Sequence, residues 1–146
     1  MTPLSLISQL SLYVIVCLFG LFFLLLWWWQ LMVLKGKAFK NPDGSADDWH
    51  QQPIIYGIAF ADVTVSCPVG IVGVVLTLLH QPLGFLILAP VAFWWFWANV
   101  MTTVTSLRFY KPKATVSWIL GYPFAIILGL AYLVWIVIHF DAIVSP

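Results

Sequence analysis

Four long apolar segments, separated by short polar stretches, dominate the pattern of residues along the chain. They span residues of about 4–34, 53–79, 83–107 and 115–140. Each segment exceeds the roughly 20 helical residues that cross a hydrocarbon core of about 30 Å. The pattern therefore predicts an all-α membrane protein, a four-helix transmembrane bundle in which residues 1–146 form a single domain.

The second segment differs from the others because small and polar residues recur on one of its faces. At about 100° per residue, one narrow stripe of a helix collects these positions. The stripe consists of Ala59, Asp62, Ser66, Gly70, Gly73, Thr77 and His80. Small residues let helix backbones approach closely in a membrane, and polar ones find partners across helices. We therefore expect the stripe to face other helices rather than lipid.

The composition supports an integral membrane protein. Hydrophobic residues make up 63% of the chain and charged residues 8%, and the mean hydropathy is +1.03. Soluble domains carry about 25% charged residues, which cover their water-facing surface. The net charge of +1 gives no sign of a nucleic-acid partner. The expected partners are the lipid bilayer and other membrane subunits or copies of the chain itself.

The positively charged residues predict the orientation of the bundle. They form two clusters, one after the first segment and one after the third: Lys35, Lys37 and Lys40, then Arg108, Lys111 and Lys113. Both clusters lie on one side of a four-span protein, and an excess of Lys and Arg marks the cytoplasmic side. We therefore expect a cytoplasmic loop at about 35–52, both termini on the non-cytoplasmic side, and a multi-pass protein of a bacterial inner membrane.

Asp62 is the first candidate for chemistry, since an Asp in the middle of a membrane costs roughly 2.5–3.5 kcal/mol on insertion scales and usually faces a bundle or a cavity. Asp62 and Asn99 both lie nine residues from the basic end of their segments, about 13 Å deep at 1.5 Å per residue. The predicted polar cluster is Asp62, Ser66, Asn99, Thr102 and Thr103. It serves either as a proton or cation relay or as a hydrogen-bonded tie between helices, and the tie is favoured.

Small residues predict where the helices pack closely. In the fourth segment Ser117, Gly121, Ala125 and Gly129 step by four residues and form a ridge on a helix. With Gly70 and Gly73 of the second segment, Gly121, Ala125 and Gly129 are the predicted packing positions. Pro68, Pro90 and Pro123 lie inside segments, where each removes one backbone donor and loosens a turn.

His80, His139 and Asp141 lie at the non-basic ends of their segments and are the candidate metal ligands. Two imidazoles and a carboxylate can bind a transition metal, and two imidazoles can bind haem axially. Histidines at helix ends more often meet water or cap carbonyl groups, and we favour that interpretation. The sequence requires no cofactor, and haem or a metal ranks low. Cys17 and Cys67 form no CxxC pair.

The sequence contains no complete catalytic set and no nucleotide motif, so we expect no catalytic activity of its own. The first functional hypothesis is a small accessory or scaffolding subunit of a homo-oligomer or a larger membrane complex. The tryptophan-rich block Phe93–Trp97 and the small-residue ridges offer more packing surface than one bundle can bury. The alternative is a small transporter or an ion- or proton-conducting oligomer centred on Asp62. A membrane redox protein or a metal or haem carrier that uses His80 and His139 ranks third.

The orientation leads to the first test. A reporter fused after Pro146 should behave as an exported domain, because the C-terminus lies opposite the basic clusters. Alkaline phosphatase and a fluorescent protein that matures only in the cytoplasm form a matched pair of reporters. Phosphatase activity without fluorescence is the expected result, and the reverse pattern would overturn the orientation.

Overall fold

The structure is a computed structural model that describes residues 4–37, 53–110 and 115–144, and the regular structure within them is entirely helical. The helices are α1 (Leu6–Leu34), α2 (Pro53–Ala61), α3 (Cys67–Leu78), α4 (Pro82–Thr105), α5 (Val116–Gly121), α6 (Pro123–Ile138) and α7 (Phe140–Val144). Two wider π-helical turns, Asp62–Ser66 and Ser106–Tyr110, follow α2 and α4. Most of the loop predicted at about 35–52 lies outside the described residues, as do Lys40, Lys111 and Lys113.

Four of these helical stretches are long and apolar enough to cross a membrane. They are Leu6–Leu34, Pro53–Leu78, Pro82–Arg108 and Trp118–Ile138, called the first to fourth spans below. The all-α, four-span prediction is therefore confirmed, and the chain is a multi-pass integral membrane protein. We call the end of the bundle with Lys35, Lys37 and Arg108 the basic end, and the end with His80 and His139 the histidine end.

The spans pack as a ring of four, in which the first and third spans each contact the second and fourth. Aromatic rings fill the centre of this ring. Phe19 stacks on Phe23 with ring centroids 5.7 Å apart, and both meet Trp95 edge-on from across the bundle. Tyr132 of the fourth span meets Phe19 edge-on at 5.7 Å. Edge-on and offset contacts are the geometries that aromatic rings prefer, so these four side chains join three spans in one core.

The second span enters this core through a glycine. A Cβ atom at Gly70 would lie 2.6 Å from Cζ of the Phe23 ring. Phe23 is fully buried, so its ring has little room to move away. Only a residue without a side chain lets the second span approach this closely.

The fourth span departs from the predicted continuous helix. The chain is irregular at Tyr122 (φ −122°, ψ −76°), and Pro123 starts α6 as its first residue. Proline disfavours helical backbone at the preceding residue and cannot donate to the previous turn. The result is a distorted turn within the span, because Tyr122 and Ile126 still donate to the carbonyls four residues back, at Trp118 and Tyr122.

The predicted ridge of small residues is interrupted at this distorted turn. Ala125 and Gly129 are buried, and a Cβ at Gly129 would lie 3.0 Å from the carbonyl oxygen of Ala92. Gly121, just before the distorted turn, is exposed, and a Cβ there would meet nothing within 4 Å. Gly121 therefore does not pack against the other spans, which corrects the prediction for this residue.

The contact between Gly70 and Phe23 leads to a test with a matched control in the same span. Gly70→Ala should destabilise the bundle by about 1–3 kcal/mol, because the new methyl group overpacks the core. Gly57→Ala should be neutral or stabilising by up to about 1 kcal/mol, since it favours the helix and its Cβ meets nothing within 4 Å. Unfolding of the purified protein in detergent measures both.

A second substitution separates overpacking from other causes. Phe23→Leu shortens the side chain opposite Gly70 and should recover part of the loss caused by Gly70→Ala. Equal stabilities of the two alanine variants, or no recovery in the double variant, would contradict the packing described for the core.

Candidate functional site

Asp62 lies inside the bundle on a wider turn of the second span. Its side chain is 3% exposed. Gln30 of the first span donates a hydrogen bond from Nε2 to Asp62 Oδ2 at 2.7 Å. Ser66, one turn further along, adds a second polar side chain next to the carboxyl group. The site is thus built from two spans, with the amide of Gln30 as the partner from the first.

The packing of the second span explains why Asp62 meets the first span. Towards the basic end, Ile55 and Ala59 form a small buried cluster with Val33 of the first span. The main contacts with the third span come from α3, on the other side of the π-helical turn. The half of the second span that contains Asp62 therefore leans on the first span.

This arrangement changes the predicted polar cluster. Asn99 donates from Nδ2 to the carbonyl oxygen of Trp95 at 2.7 Å, and Thr102 donates to that of Ala98 at 2.9 Å. Both bonds stay within the third span, and the Thr103 hydroxyl is buried without a partner among the described residues. The structure keeps Asp62 and Ser66 together but does not join them to Asn99, Thr102 or Thr103. Asp62 and Asn99 are equally far from the basic end of their spans, but their side chains share no hydrogen bond.

The backbone around Asp62 is loosened by a proline. The N–H of Cys67 donates to the carbonyl of Asp62, five residues back, where an α-helix would bond four residues back. Pro68 follows and has no N–H to offer to Thr64 or Val63. Single π-helical turns inside α-helices are rare and occur frequently at functional sites. Asp62 begins the one in the second span.

The charge environment of Asp62 contains no nearby counter-charge among the described residues. Lys35, Lys37 and Arg108 are exposed at the basic end. The second carboxylate oxygen, Oδ1, is buried and has no hydrogen-bond partner in the described part of the chain. The thiol of Cys67, five residues further along the same span, is also buried. The site therefore presents one unbalanced acidic group to a largely apolar interior.

At the histidine end, His80 holds the first span to the second. Its Nε2 lies 2.9 Å from the hydroxyl oxygen of Tyr13, and the side chain is exposed. The backbone of His80 is left-handed at φ 56°, and His80 and Gln81 donate to Thr77 and Leu76. This is a helix C-terminal motif that usually has glycine at the left-handed position. Gly36 takes that position after the first span, with φ 66°.

His139 holds the first span to the fourth. Its Nδ1 bonds the carbonyl of Trp135 at 2.9 Å, and its Nε2 lies 3.0 Å from the hydroxyl of Ser8. The carbonyl can only accept, so the neutral ring carries its hydrogen on Nδ1 and accepts from Ser8. The Trp135 ring stacks on His139 at 4.3 Å and donates to Ser11 at 3.0 Å.

The two histidines bind different sides of the first span. Their partners Ser8 and Tyr13 are five residues apart, which is about 140° around a helix. Asp141 is exposed, and the described residues contain no group of three His, Cys, Asp or Glu side chains that could hold a metal ion. The structure thus gives His80 and His139 separate hydrogen-bonding partners.

Sequence reasoning missed the partners of all three candidates. The sequence offered one clue to the partner of Asp62. Gln30 is the single amide side chain in the apolar run from Leu12 to Leu34. Ser8 and Tyr13 carried a weaker signal, since polar side chains near a span end are common at the interface.

No family model, curated protein or solved structure matches the chain.

A double-mutant cycle tests the contact between the first and second spans. Gln30→Leu and Asp62→Leu should each destabilise the bundle, because the first leaves the buried Asp62 carboxyl group and the second the half-buried Gln30 amide without its partner. The double variant should lose less than the sum, with a coupling of about 0.6–2 kcal/mol. Unfolding in detergent supplies the four free energies.

The matched control replaces the partner from the first span with the one predicted in the third. Asp62→Leu and Asn99→Leu share no hydrogen bond, because Asn99 donates within the third span, so their effects should add. Coupling of Asp62→Leu to Asn99→Leu, without coupling to Gln30→Leu, would refute the position given for Asp62.

Proposed function

We propose that the protein is a small accessory or scaffolding subunit, which works within a homo-oligomer or a larger membrane complex. The observation behind this proposal is the division of the aromatic block of the third span. Trp95 is buried in the core at 4% exposure, whereas Phe93 and Trp97 are 59% and 54% exposed on the outside of the bundle. A single bundle therefore buries only part of the aromatic surface of its third span.

The depth of the exposed rings favours a protein neighbour over lipid. Trp97 lies eleven residues before Arg108, about 16 Å along the helix and close to the middle of a 30 Å core. Tryptophan prefers the membrane–water interface, where its N–H meets polar groups. Hydrocarbon offers no acceptor for an indole N–H, but a neighbouring helix can supply one.

The interior of the bundle also favours a role in assembly. The aromatic core and the close approach of Gly70 fill the place where the spans meet. Because side chains fill the centre of the bundle, the structure is better suited to packing against other helices than to conducting a solute. The proposal includes no catalytic activity and no required cofactor. It places the protein in a bacterial inner membrane with the basic end in the cytoplasm.

Native mass spectrometry of the protein extracted in mild detergent tests the assembly. We expect the chain in complexes, with copies of itself or with other membrane proteins. The double substitution Phe93→Leu and Trp97→Leu should shift it towards the free chain, since it removes the aromatic surface but keeps an apolar one.

The control uses lipid-facing leucines of the first span at similar exposure. Leu21 and Leu24 are 52% and 58% exposed, and the double substitution of both with alanine should leave the complexes unchanged. A free chain in the unaltered protein, or the same loss of complexes in both double variants, would rule out this docking face.

A further inference from the structure

The unbalanced charge of Asp62 is the feature that the assembly role does not use. An ionised carboxylate in an apolar interior is costly unless it is paired, and one neutral donor, Gln30 Nε2, offsets only part of that cost. The other oxygen, Oδ1, is buried and lacks a partner in the described part of the chain. Of the two acids among the described residues, Asp62 and Asp141, only Asp62 lies within a span.

Asp62 has oxygen atoms that could serve as cation ligands, its own carboxylate and the nearby Ser66 hydroxyl. Ser66 follows Asp62 by four residues on the same face of the span, and Pro68 has no N–H to donate to the preceding turn. Loosened backbone carbonyls and carboxylates at the middle of a membrane are the groups that hold Na⁺ and protons in broken transmembrane helices. One negative charge is neutralised by one positive charge, which excludes a divalent ion in a medium of low dielectric.

We propose that Asp62 is an exchangeable site for one hard monovalent cation, the proton or Na⁺, and that a groove at Ser66 opens this site to apolar reagents in the lipid. The carboxyl group is distinct from the proposed docking face, because it lies between the first and second spans, whereas Phe93 and Trp97 belong to the third.

The groove gives the site a lateral opening. It has a volume of about 190 Å³ and lies between the second and third spans. Its walls are Val65, Ser66 and Val69 on one side and Pro90, Val91 and Trp94 on the other. Ser66 both lines this groove and stands beside the carboxyl group of Asp62. An apolar reagent in the bilayer can thus approach Asp62 without passing the basic end.

Few other titratable groups face Asp62. From the first span it meets neutral Gln30, with Lys35 exposed beyond the helix end. On the histidine-end side of the same span, the nearest titratable group in sequence is the buried thiol of Cys67. Tyr56, towards the basic end of the same span, is exposed. An experiment that measures cation binding in this part of the bundle would therefore report on Asp62.

A hydrophobic carbodiimide tests the proposal on the full chain in phosphatidylcholine vesicles. The carboxyl proton moves to a carbodiimide nitrogen, and the carboxylate oxygen bonds to the central carbon. The product rearranges to a stable N-acylurea that contains the whole reagent. Only a protonated carboxyl within reach of the lipid reacts in this way. Mass spectrometry of the intact chain counts the adducts, and fragmentation identifies the residue that carries them.

Two results support the proposal and distinguish the cation. Labelling of Asp62 that falls as the pH rises, and that is the same in NaCl and choline chloride, identifies a proton site. Labelling that Na⁺ slows several-fold at constant pH, relative to choline, identifies a Na⁺ site in competition with the proton. Absence of labelling at Asp62 in vesicles at acid pH, together with labelling after the protein is unfolded in acid, would overturn the proposal.

Variants of the same turn provide the controls. Asp62→Asn should abolish the adduct, and fragmentation of the unaltered protein gives the same assignment if that variant does not fold. Ser66→Ala should change the labelling rate several-fold, because it removes the hydroxyl between the groove and the carboxyl. Thr64→Ala should not, since the exposed Thr64 hydroxyl donates to its own helix at Phe60. Equal rates in these two alanine variants would reject Ser66 as the route of entry.

Discussion

The ring of Phe23 rests against the bare backbone of Gly70, and the arrangement of the four spans depends on that contact. It brings the second span against the first at the level where Phe19, Trp95 and Tyr132 complete the aromatic core. In a membrane the lipid is as apolar as the core, so burial alone does not hold helices together. Close approach and the fit of aromatic rings must supply most of the attraction. A side chain at Gly70 would therefore disturb contacts well beyond its own helix.

Hydrogen bonds between polar side chains fix the positions of the spans relative to one another. The first span is bonded to the second by Gln30 near the basic end and by Tyr13 at the histidine end. Ser8 bonds it to the fourth span through His139. Each of these bonds joins residues far apart in the chain, so each one limits sliding or rotation of a span. The span that is richest in lipid-facing leucine is thus held by polar groups near both of its ends.

The sequence was sufficient to predict the four spans and the inward face of the second, because length and residue pattern alone determine both. Ala59, Asp62, Gly70, Gly73 and Thr77 of the stripe are buried, Ser66 is partly buried, and only His80 at its end is exposed. Which neighbour each polar residue meets could not be predicted. That choice depends on how a helix tilts: the half of the second span before the π-helical turn contacts the first span, whereas the half after it contacts both the first and the third spans.

The other differences also arise from local backbone geometry. Pro123 distorts the turn before it, so that α5 ends at Gly121 and α6 begins at Pro123 within one span. Gly121 has the right spacing for a packing ridge, yet it precedes this distorted turn and points away from the core. The pattern of His80, His139 and Asp141 suggested convergence at one end of the bundle. Their positions around the first span separate the two imidazoles.

The most direct measurement of the central claim, that the second span packs on the first around Asp62, is site-directed cross-linking. In a background with Cys17→Ala and Cys67→Ala, a short bifunctional thiol reagent should link the pair Gln30→Cys and Asp62→Cys in membranes. The pair Asp62→Cys and Asn99→Cys should remain unlinked under the same conditions. Mass spectrometry of the linked peptides identifies the products. Linkage of the second pair, with none of the first, would contradict the structure of the bundle described above.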